Sequence, residues 1–217
     1  MSRIILHDYF RSSASYRVRI ALNLKGLDYE QHQVNLLKGE QKSFEHHQLN
    51  WQGFVPVLEI DDLRLTQSLA IIEYLDARYP EPRLVPEDPA AAATVRALAM
   101  IVACDIHPLN NLRVLNYIED YFSHDIGVAG MNKGAWAKTW IMEGFKALNA
   151  MARPHAGAFL FGDTVTLADI CLVPQLFNAR RFDVPLDAYQ SLLRAEASAL
   201  ELAAFQKAHP DAQEVRS

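Results

Sequence analysis

Cysteine is scarce in this chain: Cys104 and Cys171 are the only two in 217 residues. They lie far apart, in apolar surroundings with helical spacing, and make neither a Cys-x-x-Cys pair nor a metal-ligand pattern. That excludes a disulfide framework and a zinc site, and both read as buried thiols of a reduced, cytoplasmic protein. No run reads as long and apolar enough to span a bilayer, and the first residues lack the apolar core of a secretory signal. Positive charge is not concentrated either. Lys and Arg number 21 against 26 Asp and Glu, for a net charge of -5, and no basic stripe is visible, so neither nucleic acid nor a membrane is expected as partner. Internal repeats and low-complexity tracts are missing too.

What is present describes a globular protein: 50% hydrophobic residues and 22% charged ones, with ample material for a core. Composition changes near residue 80. Before it, strand and helix signals alternate: a strand at Ile4–Leu6, a helix from Ser15 ending at Lys25-Gly26, a weaker strand at Tyr29–Asn35, strands at Val57–Ile60 and Leu63–Thr66, then a helix through Ile71, Ile72 and Leu75. Asp61-Asp62 reads as a tight hairpin turn. Pro80, Pro82, Pro86 and Pro89 mark a linker, and beyond it the sequence is rich in Ala and Leu at helical spacing. The expected architecture is therefore α/β plus all-α: residues 1–79 as a small α/β domain, 80–89 as linker, and 90–217 as a helical domain.

The segment Tyr9 to Leu22 carries the most chemistry. A short strand runs into Arg11-Ser12-Ser13 and a helix follows, so hydroxyls stand at a helix N-terminus beside unpaired N–H groups and the positive end of the dipole. Such a place caps a helix or holds an anion, a thiolate included. Gln67-Ser68 opens a second helix and offers the same choice between a plain cap and a carboxylate site. Val55-Pro56 precedes a strand; a cis bond there would leave the Val55 backbone open to an extended peptide, while a trans turn is the ordinary form.

Together Ser12-Ser13-Ala14-Ser15-Tyr16-Arg17-Val18-Arg19-Ile20-Ala21-Leu22, Val55-Pro56, Gln67-Ser68-Leu69-Ala70-Ile71-Ile72-Glu73-Tyr74-Leu75 and Asn178-Ala179-Arg180-Arg181-Phe182 resemble the zeta class of glutathione transferases over nearly the whole chain. The resemblance implies a thioredoxin-like domain followed by a helical bundle, a homodimer, and glutathione as cofactor. It puts Ser12 and Ser13 near the glutathione sulfur, Val55 on the cysteinyl backbone with Pro56 cis, Gln67 and Ser68 on the γ-glutamyl carboxylate, and Gln41 near the glycyl end. Asp105 to Asn111 resembles the bacterial form of the pocket wall, which brings in Asn111 as a glutathione ligand and His107 as a hydrogen-bonding ligand of glutathione or substrate. The alternative for His107 is a structural or exposed residue of its helix. Arg181 matches a substrate arginine. Two positions depart from the pattern: Ala14 stands where many members carry cysteine, and Trp51 where an Asn-Pro step is common.

The activity that the resemblance implies is glutathione-dependent isomerisation of maleylacetoacetate in tyrosine and phenylalanine catabolism, with maleylpyruvate as the alternative substrate. Physical chemistry makes it coherent. A thiolate added to a conjugated cis bond leaves a single bond free to rotate, and elimination returns the trans alkene. A helix N-terminus lowers a thiol pKa, and Arg11, Arg113 and Arg181 suit a small dicarboxylate substrate. A general transferase acting on electrophiles would want an apolar pocket instead, and a non-catalytic module would not need Ser13, Gln67 and Ser68. His46-His47 read as surface residues. Thr166-Leu167-Ala168-Asp169 reads as a capping box, with Asp169 structural.

Overall fold

A computed structural model describes residues 3–121 and 132–213. Its packing divides the chain into two units, Met1–Leu84 with Leu200–Ser217, and Val85–Ala199.

The first unit is built on a four-stranded sheet in the order β2-β1-β3-β4. β1 (Ile5–Asp8) pairs parallel to β2 (Glu30–Gln33) and antiparallel to β3 (Val57–Ile60), and β3 pairs antiparallel to β4 (Leu63–Thr66). The β3–β4 turn is Asp61-Asp62, both in the left-handed region that a two-residue hairpin requires. Helices α1 (Ser13–Leu24), α2 (Phe44–Leu49) and α3 (Ser68–Arg78) complete the alternation, with a 3-10 turn at Glu40–Lys42. Helix α1 stops at Lys25 because Gly26, at φ 64°, takes the chain out of the helix. Leu6, Leu58, Ile20, Leu22, Ile71 and Leu75 are fully buried between sheet and helices.

Polar residues extend β1 beyond the expected Leu6. His7 is bonded to Glu59 at 2.6 Å, and buried Asp8 is paired with Arg19 at 2.6 Å, so both are satisfied inside the sheet. The short helix α9 (Ala203–Ala208) also belongs here. Arg19 Nε donates to the Ala208 carbonyl at 3.0 Å and Asn23 Nδ2 to that of Ala204 at 3.0 Å. The C-terminal stretch from Leu200 thus departs from the expected 90–217 domain, because its carbonyls are held by α1. The proline-rich segment is tied down as well: Lys25 Nζ reaches Asp76 at 2.7 Å and the Pro82 carbonyl at 2.6 Å, and Leu84 N donates to Asp76 at 2.8 Å.

The second unit is helical. Asp88 caps α4 (Pro89–Met100) by accepting Ala91 N–H at 2.8 Å, with Pro89 at the first position. The chain runs on as a π-helical stretch, Ile101–Ile106, then a 3-10 turn, His107–Asn110, before α5 (Leu112–Tyr121). By length and composition alone Pro89–Tyr121 would pass for a membrane-crossing helix, which corrects the sequence expectation. Here it changes helical type at Ile101 and His107, and Val95, Leu98, Val102 and Ile106 are buried in this unit's core. Helices α6 (Lys133–Ala152), α7 (Leu167–Arg181) and α8 (Gln190–Leu200) follow. A side chain at Gly144 of α6 would run into Ile106, so this glycine lets α6 approach the π-helical stretch. Cys171 is buried in α7 as expected; Cys104 is exposed, a second correction.

Candidate functional site

Register gathers the first unit's candidate residues. His7 lies opposite Val57, and Val57 opposite Thr66. The end of β1, the start of β3 and the end of β4 therefore share one edge. The segments leaving that edge are Tyr9–Ser13, Val55-Pro56 and Gln67-Ser68.

Ser12 is the N-cap of α1: its Oγ accepts the Ser15 N–H at 3.2 Å. That bond occupies one lone pair and leaves the hydroxyl hydrogen to donate. Ser13 is the first helical residue and is buried. The loop before them is pinned by Arg19, whose Nη2 donates to the Phe10 carbonyl at 2.9 Å while Nη1 holds Asp8. Burial pushes the Asp8 carboxyl up, and the Arg19 guanidinium opposes it. Arg11 is exposed, its guanidinium 4.9 Å above the Phe10 ring.

The Val55-Pro56 peptide is cis, as the resemblance implies, and both residues are buried. The loop in front of it is fixed by two side chains to which sequence reasoning gave no role at the site. His46 Nε2 meets the Phe54 carbonyl at 2.9 Å, and Asn50 Nδ2 donates to the same oxygen at 3.0 Å. His46 is buried, which corrects its reading as a surface residue; only its polar neighbours in the sequence suggested exposure. Gln41 sits in the 3-10 turn, and its carbonyl would lie 3.1 Å from a side chain at Gly53, so the turn packs against the Val55 loop.

Gln67 precedes α3 with φ 66° and ψ 111°, a rare conformation for a residue with a side chain, and makes no side-chain cap bond. Its Nε2 donates to Gln52 Oε1 at 2.8 Å. Ser68 is buried and begins the helix; its Oγ accepts from Arg17 Nη1 at 3.3 Å. The first N–H groups of α3 are thus left without a side-chain cap at the same sheet edge as Ser12 and Ser13.

In the second unit, His107 opens the 3-10 turn directly after the π-helical stretch. Such π segments recur at functional sites. Asn110 Nδ2 bonds the Ile106 carbonyl at 2.8 Å, and Trp136 Nε1 the Leu109 carbonyl at 2.9 Å, fixing the turn. Asn111 caps α5, its Oδ1 accepting the Arg113 N–H at 3.1 Å, and Arg113 is exposed. Of the paired arginines, Arg180 is committed to Glu196 through both nitrogens, at 2.6 and 2.5 Å. Arg181 is exposed at the end of α7. The capping box at Thr166 forms: Asp169 accepts Thr166 N–H and hydroxyl, each at 2.9 Å, and Leu160 N–H at 2.8 Å. Burial pushes its carboxyl up to about 6, against those three bonds.

The family described as "Glutathione S-transferase, N-terminal domain" matches residues 2–77, and "Glutathione S-transferase, C-terminal domain" residues 135–206. A relative from Vibrio cholerae, described as a probable maleylacetoacetate isomerase, is 47% identical, covering 98% of each chain. Among solved structures, the holo form of a maleylpyruvate isomerase, described as a bacterial zeta-class glutathione transferase, superposes with a TM-score of 0.90 at 45% identity, over 96% of this chain and 98% of that one. The maleylacetoacetate isomerase of Anaeromyxobacter dehalogenans, with dicarboxyethyl glutathione and citrate bound in its active site, gives 0.86 at 42% identity, over 98% and 93%. This chain belongs to the glutathione S-transferase family, and within it to the zeta class.

Proposed function

We propose that the protein is a glutathione-dependent cis-trans isomerase acting on maleylacetoacetate. The observation that carries this reading is the sheet edge, where the strand register brings together a serine-bearing helix start, Val55 before cis-Pro56, and a second, uncapped helix start at Ser68. The donor set fits glutathione. Ser12 keeps a hydroxyl hydrogen for the sulfur, the Val55 backbone for the cysteinyl unit, and Gln67 with Ser68 for the γ-glutamyl carboxylate. Gln41 serves the glycyl end, and His107 and Asn111 add hydrogen bonds.

Glutathione, held by these residues, would supply a thiolate capable of reversible addition to the cis bond. The chain's part is electrostatic and positional. Ser12 and Ser13, with the positive end of α1, favour the thiolate over the thiol at neutral pH. Arg11, Arg113 and Arg181 bind the substrate's carboxylates and stabilise negative charge developing on its oxygens. Ala14 in place of a cysteine is no obstacle, since the sulfur that reacts is not the protein's own.

The wider reading places the enzyme in tyrosine and phenylalanine catabolism, as a cytoplasmic homodimer that also conjugates glutathione to electrophiles. The likeness to a maleylpyruvate isomerase favours maleylpyruvate as the second substrate to assay. Isomerisation rates on both compounds, with and without glutathione, test the proposal. Calorimetry with glutathione tests the cofactor separately: no binding at millimolar concentration would remove its basis.

A further inference from the structure

We infer that Arg17, buried behind Ser68, is a positioning residue that makes the Ser68 site selective for a carboxylate. The inference rests on the glutathione reading above and names what enforces one part of it. Arg17 is on α1 and 2% exposed; Ser68 is at the first position of α3. Nη1 of Arg17 lies 3.3 Å from Ser68 Oγ. A guanidinium only donates, so in this contact the serine oxygen accepts. Its hydroxyl hydrogen is thereby kept off Arg17 and remains able to donate at the start of α3. Ser68 thus becomes a donor to whatever binds there, and a ligand atom that itself needs an acceptor is disfavoured. The fixed positive charge behind the hydroxyl adds to the helix dipole, and both favour an anion. Gln67 supports the same polarity, since its Oε1 end is the one not spent on Gln52 and can take the ammonium beside that carboxylate. The selected ligand chemistry is an α-amino acid terminus, with the carboxylate on Ser68.

The probes are glutathione and its analogue lacking the γ-glutamyl α-carboxylate, 4-aminobutyryl-cysteinylglycine, titrated calorimetrically into the full-length protein. Wild type should prefer glutathione. Arg17→Lys, which keeps the charge but loses the planar fork, and Arg17→Met should weaken glutathione binding, the latter by about tenfold or more. Neither should change binding of the analogue. In steady state the loss should appear in KM for glutathione, with kcat at saturating glutathione retained. Ser68→Ala should lower the preference by itself, and adding Arg17→Lys to it should have little further effect; this pair decides the matter if Arg17→Met does not fold. Equal weakening of both probes would mean that Arg17 only supports packing and would overturn the inference, as would unchanged preference in a folded Arg17 variant. Failure of wild type to bind glutathione would instead sink the proposed function itself.

Discussion

Replacing Arg181 with alanine should cost catalysis, and replacing its neighbour Arg180 should cost stability. Successive helical residues are turned by about 100°, so the two side chains leave α7 in different directions. Arg180 forms a two-armed pair with Glu196, whose side chain is only 6% exposed, whereas the Arg180 side chain is 49% exposed. Turning Arg180 toward a substrate would uncover a buried carboxylate, so of the two it is Arg181 that we propose as the substrate arginine. A charge-assisted contact contributes roughly 1.5–3 kcal/mol, so Arg181→Ala should lower kcat/KM about 10- to 150-fold, with glutathione affinity little changed. For Arg180→Ala the half-exposed guanidinium discounts the loss to about 1–2 kcal/mol, or a Tm lower by roughly 2–8 °C in a chain of this size. Initial rates at saturating glutathione and thermal melts read the two effects. Glu196→Gln should mimic Arg180→Ala in the melt and leave the rates alone. A catalytic loss on Arg180→Ala with Arg181→Ala silent would refute the assignment. Silence of both would put the dicarboxylate substrate itself in doubt and favour the electrophile-conjugating reading.

Ser13→Ala should lower the isomerisation rate at neutral pH and less so at high pH, where thiolate forms without help; an equal loss across a pH-rate profile would assign the serine to positioning. Asp169→Ala strips partners from the buried Leu160 and Thr166 N–H groups and should cost about 3 kcal/mol or more in urea unfolding. Because burial raises Asp169 to about 6, the folded chain holds that proton more tightly than the unfolded one. Its contribution is full below about pH 4 and is lost as pH rises through about 6, a slope that Asp169→Asn should remove. His7 runs the other way: burial lowers its pKa despite Glu59, so its contribution stands above about 6.5 and is lost in acid, and His7→Gln should flatten the acid limb of a stability-pH curve.

The hairpin was legible to the residue, because Asp61-Asp62 between two apolar runs admits few other conformations. So was the capping box, which is wholly local. Features set by distant partners were not. β1 reaches Asp8 only because Arg19, eleven residues on, answers a buried carboxylate. His46 is drawn inside by the Phe54 carbonyl, and the C-terminal helix joins the first unit through bonds to Arg19 and Asn23. The π-helical stretch before His107 follows no periodicity that a helical reading would flag, and Cys104 within it faces out beside exposed Asp105. The candidate site was legible as separate motifs. That they share one edge follows from strand register, which the motifs do not encode.

Capping and ligand binding looked like competing explanations for the serines, yet the hydroxyl's chemistry makes them compatible. Ser12 spends a lone pair on Ser15 N–H, and Ser68 spends one on Arg17; each keeps its hydrogen. The structural bond fixes the oxygen and, by occupying an acceptor site, leaves the donor able to serve a ligand. A guanidinium can divide its donors as well, and Arg19 spreads them over Asp8, Phe10 and Ala208. Once Arg180 closes on both oxygens of Glu196, however, both terminal nitrogens face one buried carboxylate, and of the pair Arg181 is the one proposed for the substrate. Serines in this fold can therefore hold the scaffold and the ligand at once, whereas Arg180 is held to a single buried carboxylate. That is why alanine at Ser12 should disturb both helix and thiolate, while alanine at Arg180 and at Arg181 should separate stability from catalysis.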